Sequence, residues 1–125
     1  MYSAVVLDLP SREKLVKWLA EKFSIVKREN WEVLAHHMTI QMGELPSYLK
    51  DDLDTTHTLE VTGYASDEKV IAVRVTGYFT KNKIPHITLA VNRKGGGKPV
   101  MSNELKNWQP VLKPFTVKGT IRELE

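Results

Sequence analysis

The residues best suited to chemistry in this sequence are two histidines that stand in the same local pattern. His37-Met38-Thr39-Ile40 and His86-Ile87-Thr88-Leu89 each contain a histidine, an apolar residue, a threonine and a second apolar residue. Side chains alternate along a β-strand, so each histidine shares a face with the threonine two residues later, about 6.6 Å away along the backbone. Each segment therefore predicts a strand with an imidazole and a hydroxyl on one face and two buried apolar side chains on the other.

Two such strands side by side would bring two imidazoles and two hydroxyls into one cleft. That set suits a phosphodiester, because hydroxyls donate hydrogen bonds to its oxygens and an imidazole transfers protons near neutral pH. We therefore predict His37 and His86 as the proton-transfer residues, and Thr39 and Thr88 as the phosphate-binding residues. For one such pattern an ordinary buried strand is the simpler interpretation, but two copies in different halves of the chain favour a shared site.

A metal site is a further interpretation, since histidine is the commonest metal ligand in proteins. No carboxylate stands two or four residues after either histidine of the pair, and the chain has no cysteine. The adjacent His36 and His37 are expected on opposite faces of one strand, where they could not bind one ion together. We therefore expect no metal and no other cofactor.

The elements that must position these residues follow from apolar periodicity and turn signals. Predicted strands span residues 2–9, 24–28, 31–42, 57–65, 69–77, 84–92 and 115–124. Predicted helices span residues 11–23 and 102–108, capped by Ser11 and Ser102, and residues 46–53 form a short helix or a loop. The order predicts an α+β fold of two similar lobes, each with an antiparallel sheet and one helix.

Length and composition limit the function classes. A chain of 125 residues is expected to form a single domain, because two separate cores would each be too small. A net charge of +3 is too small for a chromatin-type binder but tolerates an anionic ligand. The lack of cysteine excludes disulfides and thiolate catalysis. Because there is neither a basic signal-type N-terminus nor an apolar stretch of about 20 residues, we expect a cytoplasmic protein without membrane contact.

Further residues could contact a nucleotide beside the two patterns. The stretch from Thr80 to Val100 contains five basic residues and no acidic one, which favours a polyanion, although a solvated loop face is the simpler interpretation. Aromatic residues at element edges could stack on a base. The predicted nucleotide contacts are Lys98, Tyr48, Tyr78 and Phe79.

The paired histidine-apolar-threonine motifs, one in each half, resemble those of the 2H phosphoesterase superfamily. The segment Gly97–Asn103 after the second motif also resembles small RNA-repair and phage members. The superfamily includes RNA 2′,3′-cyclic phosphodiesterases, phosphodiesterase domains of tRNA ligases, and phage counter-defence enzymes that cleave cyclic oligonucleotide signals. The resemblance covers most of the chain and implies a two-lobed fold with antiparallel sheets, flanking helices and a central cleft.

The resemblance also implies a metal-independent phosphodiesterase. Its substrate would be an RNA 2′,3′-cyclic phosphate end, a 2′-5′ linkage or a cyclic oligonucleotide. His86 would act as the base toward water and His37 as the acid toward the leaving oxygen, while Thr39 and Thr88 hold the phosphate. The alternatives from other classes are a non-catalytic nucleotide- or RNA-binding module that retains the cleft, and a scaffold protein without a ligand.

Overall fold

Seven β-strands and two α-helices form the chain, which the computed structural model describes from residue 1 to residue 125. The strands are β1 (Tyr2–Leu7), β2 (Glu32–Val33), β3 (His37–Met42), β4 (Thr56–Ser66), β5 (Val70–Thr76), β6 (His86–Val91) and β7 (Gln109–Leu124). The α-helices are α1 (Leu9–Lys22) and α2 (Ile25–Arg28), and 3-10 turns cover Ser47–Asp52, Arg93–Gly95 and Pro99–Glu104. The predicted α+β class is confirmed. Neither α-helix has the length and apolar character that crossing a membrane requires.

The strands form one antiparallel sheet in the order β2-β6-β3-β1-β7-β4-β5, and β5 also pairs with β6. That last pairing closes six strands into a barrel and leaves β2 as a short additional strand beside β6. The sequence predicted one sheet in each half of the chain. The strands join a single sheet instead, because the C-terminal β7 lies between β1 and β4 and so connects the two halves.

The barrel interior holds the apolar residues of both histidine motifs. Met38, Ile40, Ile87 and Leu89 are fully buried, as the strand alternation predicted. Helix α1 packs its buried face, which includes Leu19, against the same cluster. Each large apolar side chain buried in this way contributes about 1.5–3 kcal/mol to stability. The motif strands are therefore fixed by the apolar residues that lie between their polar ones.

Helix α1 begins two residues earlier than predicted. Asp8 caps it, because the Asp8 carboxylate accepts a hydrogen bond from the Ser11 backbone N–H at 2.8 Å. Pro10 fits the first turn, where its missing N–H leaves no backbone bond unmade. The Ser11 hydroxyl has a different role from the predicted cap: it accepts a hydrogen bond from the Lys118 backbone N–H at 2.8 Å and thereby anchors the helix to β7.

Two predicted strands are wrong in their extent or type. In the predicted strand 24–28, residues Ile25–Arg28 form the helical turn α2. Val26 of this turn is buried against the core, so tertiary packing outweighs the β-branched composition. The predicted long strand over residues 31–42 is divided into β2 and β3. Ala35 between them has φ of 48°, outside the strand region, and therefore interrupts the alternation just before the first motif.

The C-terminal region also differs from the prediction. The helix predicted over residues 102–108 is instead the 3-10 turn Pro99–Glu104, and Ser102 lies inside it rather than capping it. Residues 110–114, predicted as a connector, belong to β7. Gly63 of β4 lies opposite Pro110, and Val61 lies opposite Phe115, so an irregularity in the pairing absorbs the extra residues.

Candidate active site

The two histidine motifs lie on neighbouring antiparallel strands, with Met38 of β3 directly opposite Ile87 of β6. This register places His37 opposite Thr88, and Thr39 opposite His86. Directly opposite residues have Cβ atoms about 4.5–5.5 Å apart, while diagonal neighbours such as the two histidines have backbones about 7–8 Å apart. Because Met38 and Ile87 are buried inside the barrel, the four polar side chains share the other face.

All four motif side chains line one cleft with a volume of about 730 Å³. This volume lies within the range of small-molecule sites. Other lining residues were not predicted for the site; they include Tyr2, His36, Gln41, Asn82 and Asn103. Lys81 also lines the cleft and belongs to the basic stretch from Thr80 to Val100, whose composition favours a polyanion. No Asp or Glu is among the lining residues, so the cleft offers an anion no carboxylate to oppose it.

The His86 ring is held by a hydrogen bond to the backbone. Its Nδ1 lies 2.8 Å from the carbonyl oxygen of Ile84. A carbonyl only accepts, so Nδ1 carries a hydrogen and Nε2 is the nitrogen that gains or loses a proton. The residue is only 8% exposed, and burial lowers the pKa of His86, while the bond to Ile84 opposes that change. Neutral His86 is therefore arranged to act as a proton acceptor through Nε2.

The His37 ring is half-buried and packs against the Tyr2 ring, with ring centroids 5.1 Å apart. Burial is the main cause that lowers the pKa of His37 from 6.5 to about 4, and the nearby His36 and His86 lower it further. His37 is consequently neutral at pH 7 in the free protein. A bound anion would favour the protonated form, since an opposite charge nearby stabilises an imidazolium.

His36 lies in the cleft beside His37, contrary to the prediction that the two would occupy opposite faces. Their Nδ1 atoms are 2.9 Å apart, and their ring planes are nearly perpendicular, at 83°. His36 lies just outside β3, which begins at His37, so strand alternation does not fix its direction; Ala35 before it has a left-handed φ. The carbonyl of His36 accepts a hydrogen bond from the Leu7 N–H at 2.9 Å, so the backbone is fixed there. No local sequence signal marks this change of direction.

Each motif threonine is supported by a second hydroxyl residue. The Thr88 hydroxyl lies 2.8 Å from that of Ser102, which is 1% exposed. The Thr80 hydroxyl donates to the Thr39 carbonyl at 2.7 Å, and the Lys81 N–H donates to the Ile40 carbonyl at 2.8 Å. The second pair of bonds holds the β5–β6 loop against β3, which explains how Lys81 reaches the cleft.

The four predicted nucleotide contacts do not line the cleft. Tyr48 and Phe79 form an exposed edge-to-face pair with ring centroids 6.3 Å apart. The Tyr78 hydroxyl donates to the Asp52 carboxylate at 2.8 Å, and burial together with this bond raises the pKa of Tyr78. Lys98 directly precedes Pro99, which does line the cleft. The structure thus brings the four motif residues together and leaves these four outside.

A second pocket of about 350 Å³ shares His86 and Asn103 with the cleft, so the His86 ring borders both. No group of three or more histidine, aspartate or glutamate side chains is arranged to hold a metal ion. Comparison of the sequence with models of known protein families and with curated proteins finds no match.

Proposed function

We propose that the protein is a metal-independent phosphodiesterase of the 2H type that hydrolyses a cyclic or 2′-linked nucleotide phosphodiester. The observation that carries this proposal is the placement of both histidine-threonine pairs on adjacent strands, with all four side chains lining one cleft. Two groups able to move protons and two hydroxyl donors are what an acid–base phosphodiester hydrolysis requires. The substrate is an RNA 2′,3′-cyclic phosphate end, a 2′-5′ linkage or a cyclic oligonucleotide.

In the proposed fold, the barrel is a small version of the two-lobed 2H architecture, in which β3 and β6 are the motif strands of the two halves. Support comes from their adjacency and from the buried apolar residues that alternate with the polar ones on both strands. A nucleotide substrate and a chain without cysteine suit action in the cytoplasm.

In the proposed reaction, His86 Nε2 accepts a proton from a water molecule as the water oxygen attacks phosphorus. The bond from phosphorus to the leaving ribose oxygen breaks, and that oxygen takes a proton from Nε2 of protonated His37. Thr39 and Thr88 donate hydrogen bonds to the non-bridging oxygens. One water is consumed, no electron is transferred, and solvent returns the proton from His86 to His37. The assignment of His86 as base is supported by its Nδ1 bond to Ile84, which leaves Nε2 as the acceptor.

His37 requires a bound substrate to carry the proton that it donates in this reaction. His37 is neutral in the free protein at pH 7, because its pKa is about 4. The negative charge of a phosphodiester beside the ring raises that pKa, and the anion in turn is attracted by Lys81 at the cleft edge. We therefore expect kcat to follow a bell-shaped pH curve, with the limb that reports His37 displaced to higher pH in the complex than in the free protein.

The testing experiment is a turnover screen of the purified chain in the presence of a chelator. The substrates are 2′,3′-cyclic mononucleotides, 2′-5′-linked dinucleotides, and cyclic di- and trinucleotides, incubated in ¹⁸O-labelled water and analysed by mass spectrometry. Hydrolysis by the proposed route incorporates one ¹⁸O atom into the product phosphate. Binding without product would support the non-catalytic nucleotide-binding module instead.

Histidine variants test whether activity depends on the cleft or on another part of the protein. His37→Ala and His86→Ala should each lower kcat about 10²–10⁴-fold, the usual effect of removing an acid or a base. His57→Ala is the matched control, because His57 lies on β4 against Tyr78 and does not line the cleft. Equal activity of the His86→Ala variant and the control would reject the two-histidine mechanism.

A further inference from the structure

His36 is the one imidazole of the cleft to which the reaction above gives no role. Its Nδ1 lies 2.9 Å from Nδ1 of His37, which is hydrogen-bond distance. Two ring nitrogens this close share one hydrogen, since one must donate and the other accept. The contact therefore couples the tautomers of the two rings, because whichever Nδ1 carries the hydrogen donates it to the other.

The corresponding bond of His86 indicates what such a contact does. The Ile84 carbonyl accepts from Nδ1 of His86, so the hydrogen stays on Nδ1 and proton exchange takes place at Nε2. Nδ1 of His37 has no carbonyl in that position, and its partner is the His36 ring. The two histidines of the motifs thus have Nδ1 partners of different chemistry, a backbone carbonyl for His86 and an imidazole for His37.

We propose that His36 is a positioning residue whose Nδ1 accepts the Nδ1–H of His37 and so keeps Nε2 of His37 as the proton-exchanging nitrogen. This role rests on the proposed phosphodiesterase function, in which His37 gives a proton to the leaving oxygen. In each turnover Nε2 gains and loses one proton, while the hydrogen on Nδ1 stays between the two rings. The charge of His36 does not change, and no other reactant is needed.

The surroundings leave His36 as the available acceptor. The other titratable groups that line the cleft are His86, Lys81 and the Tyr2 phenol, and no carboxylate is among them. Tyr2 contacts the His37 ring through its own ring, at a centroid distance of 5.1 Å. The His36 backbone is itself fixed by the bond from the Leu7 N–H, and from that position its Nδ1 reaches Nδ1 of His37.

The first test determines the tautomer of His37 by ¹⁵N NMR and does not require turnover. In the wild-type protein, neutral His37 should carry its hydrogen on Nδ1, with a coupling across the hydrogen bond to Nδ1 of His36. In His36→Phe, which keeps an aromatic ring but cannot accept, the hydrogen should move to Nε2 in most molecules. His57→Phe should leave the His37 signals unchanged. A hydrogen on Nε2 of neutral His37 in the wild-type protein would overturn the proposal.

The second test is kinetic and uses the substrate that the turnover screen identifies. His36→Phe should lower kcat up to about tenfold, the effect of one lost hydrogen bond, with little change in KM. His36→Asn offers an amide oxygen in place of Nδ1 and should restore kcat to within about threefold of the wild type. An Asn variant as slow as the Phe variant would reject the accepting role. Absence of turnover in the wild type would reject the function alone, since the NMR result decides the hydrogen bond separately.

Discussion

Part of the acid sensitivity of this protein should come from His37, and the His37→Asn variant should lose that part. In the folded protein the pKa of His37 is about 4, against 6.5 for a free imidazole, mainly because the ring is buried. Between these two values the His37 ring binds a proton in the unfolded chain but not in the folded one. The contribution of His37 to stability is therefore full above pH 6.5 and falls as the pH drops toward 4. For this pKa difference, the loss between pH 7.5 and 4.5 is roughly 2–3 kcal/mol.

The assay is urea unfolding of the wild type and His37→Asn at a series of pH values, in buffers without phosphate that could occupy the cleft. His86 also has a lowered pKa and contributes acid sensitivity of the same sign, but it is present in both proteins and largely cancels in the comparison. His57→Asn serves as the control and should retain the wild-type pH dependence. If the wild type and His37→Asn lost stability in parallel from pH 6.5 to 4, the folded protein would not be holding the His37 ring neutral, and the reasoning would fail.

Three other predictions concern the rest of the cleft. The hydrogen bond between Thr88 and Ser102 should give a coupling free energy of about 1 kcal/mol in a double-mutant cycle of Thr88→Val and Ser102→Ala, measured by urea unfolding, and additive effects would contradict it. Lys81→Gln should raise KM several-fold at low salt and much less at about 1 M salt, because the charge is exposed and screened; an equal effect at both would show that charge is not the cause. Turnover should persist in EDTA, since the residues present form no metal-ligand set, and a loss that one specific metal restores would contradict this.

The faces of the motif strands were predictable because side-chain alternation within a strand is a local property. It correctly placed Met38, Ile40, Ile87 and Leu89 in the core. The hairpin of β4 and β5 was also predicted, since both strands alternate and a short polar segment joins them. These features depend on residues close together in the sequence and need no knowledge of the complete fold.

The barrel closure and the position of His36 were not predictable, because both depend on contacts between distant segments. Closure requires β5 to pair with β6 and β7 to lie between β1 and β4. Gly63 illustrates the difficulty: a Cβ atom there would lie 2.9 Å from the Gln109 carbonyl oxygen, so the glycine permits the close approach of β7 where proline suggested a connector. His36 likewise lies just outside β3, where its carbonyl accepts a hydrogen bond from the distant Leu7 N–H.

The register between β3 and β6 is what makes a single site from two separate motifs. A shift of one residue in either strand would turn its imidazole and hydroxyl into the barrel and its apolar residues outward. That shift is opposed by the free energy of burying Met38 and Ile40 on one strand and Ile87 on the other. The apolar residues of the two motifs therefore fix the register of the site, which is as necessary to it as the polar side chains are. Because the strands are antiparallel, the same register sets each imidazole opposite the other strand's threonine, so one phosphate between the strands could meet a hydroxyl and a proton-transfer group from each.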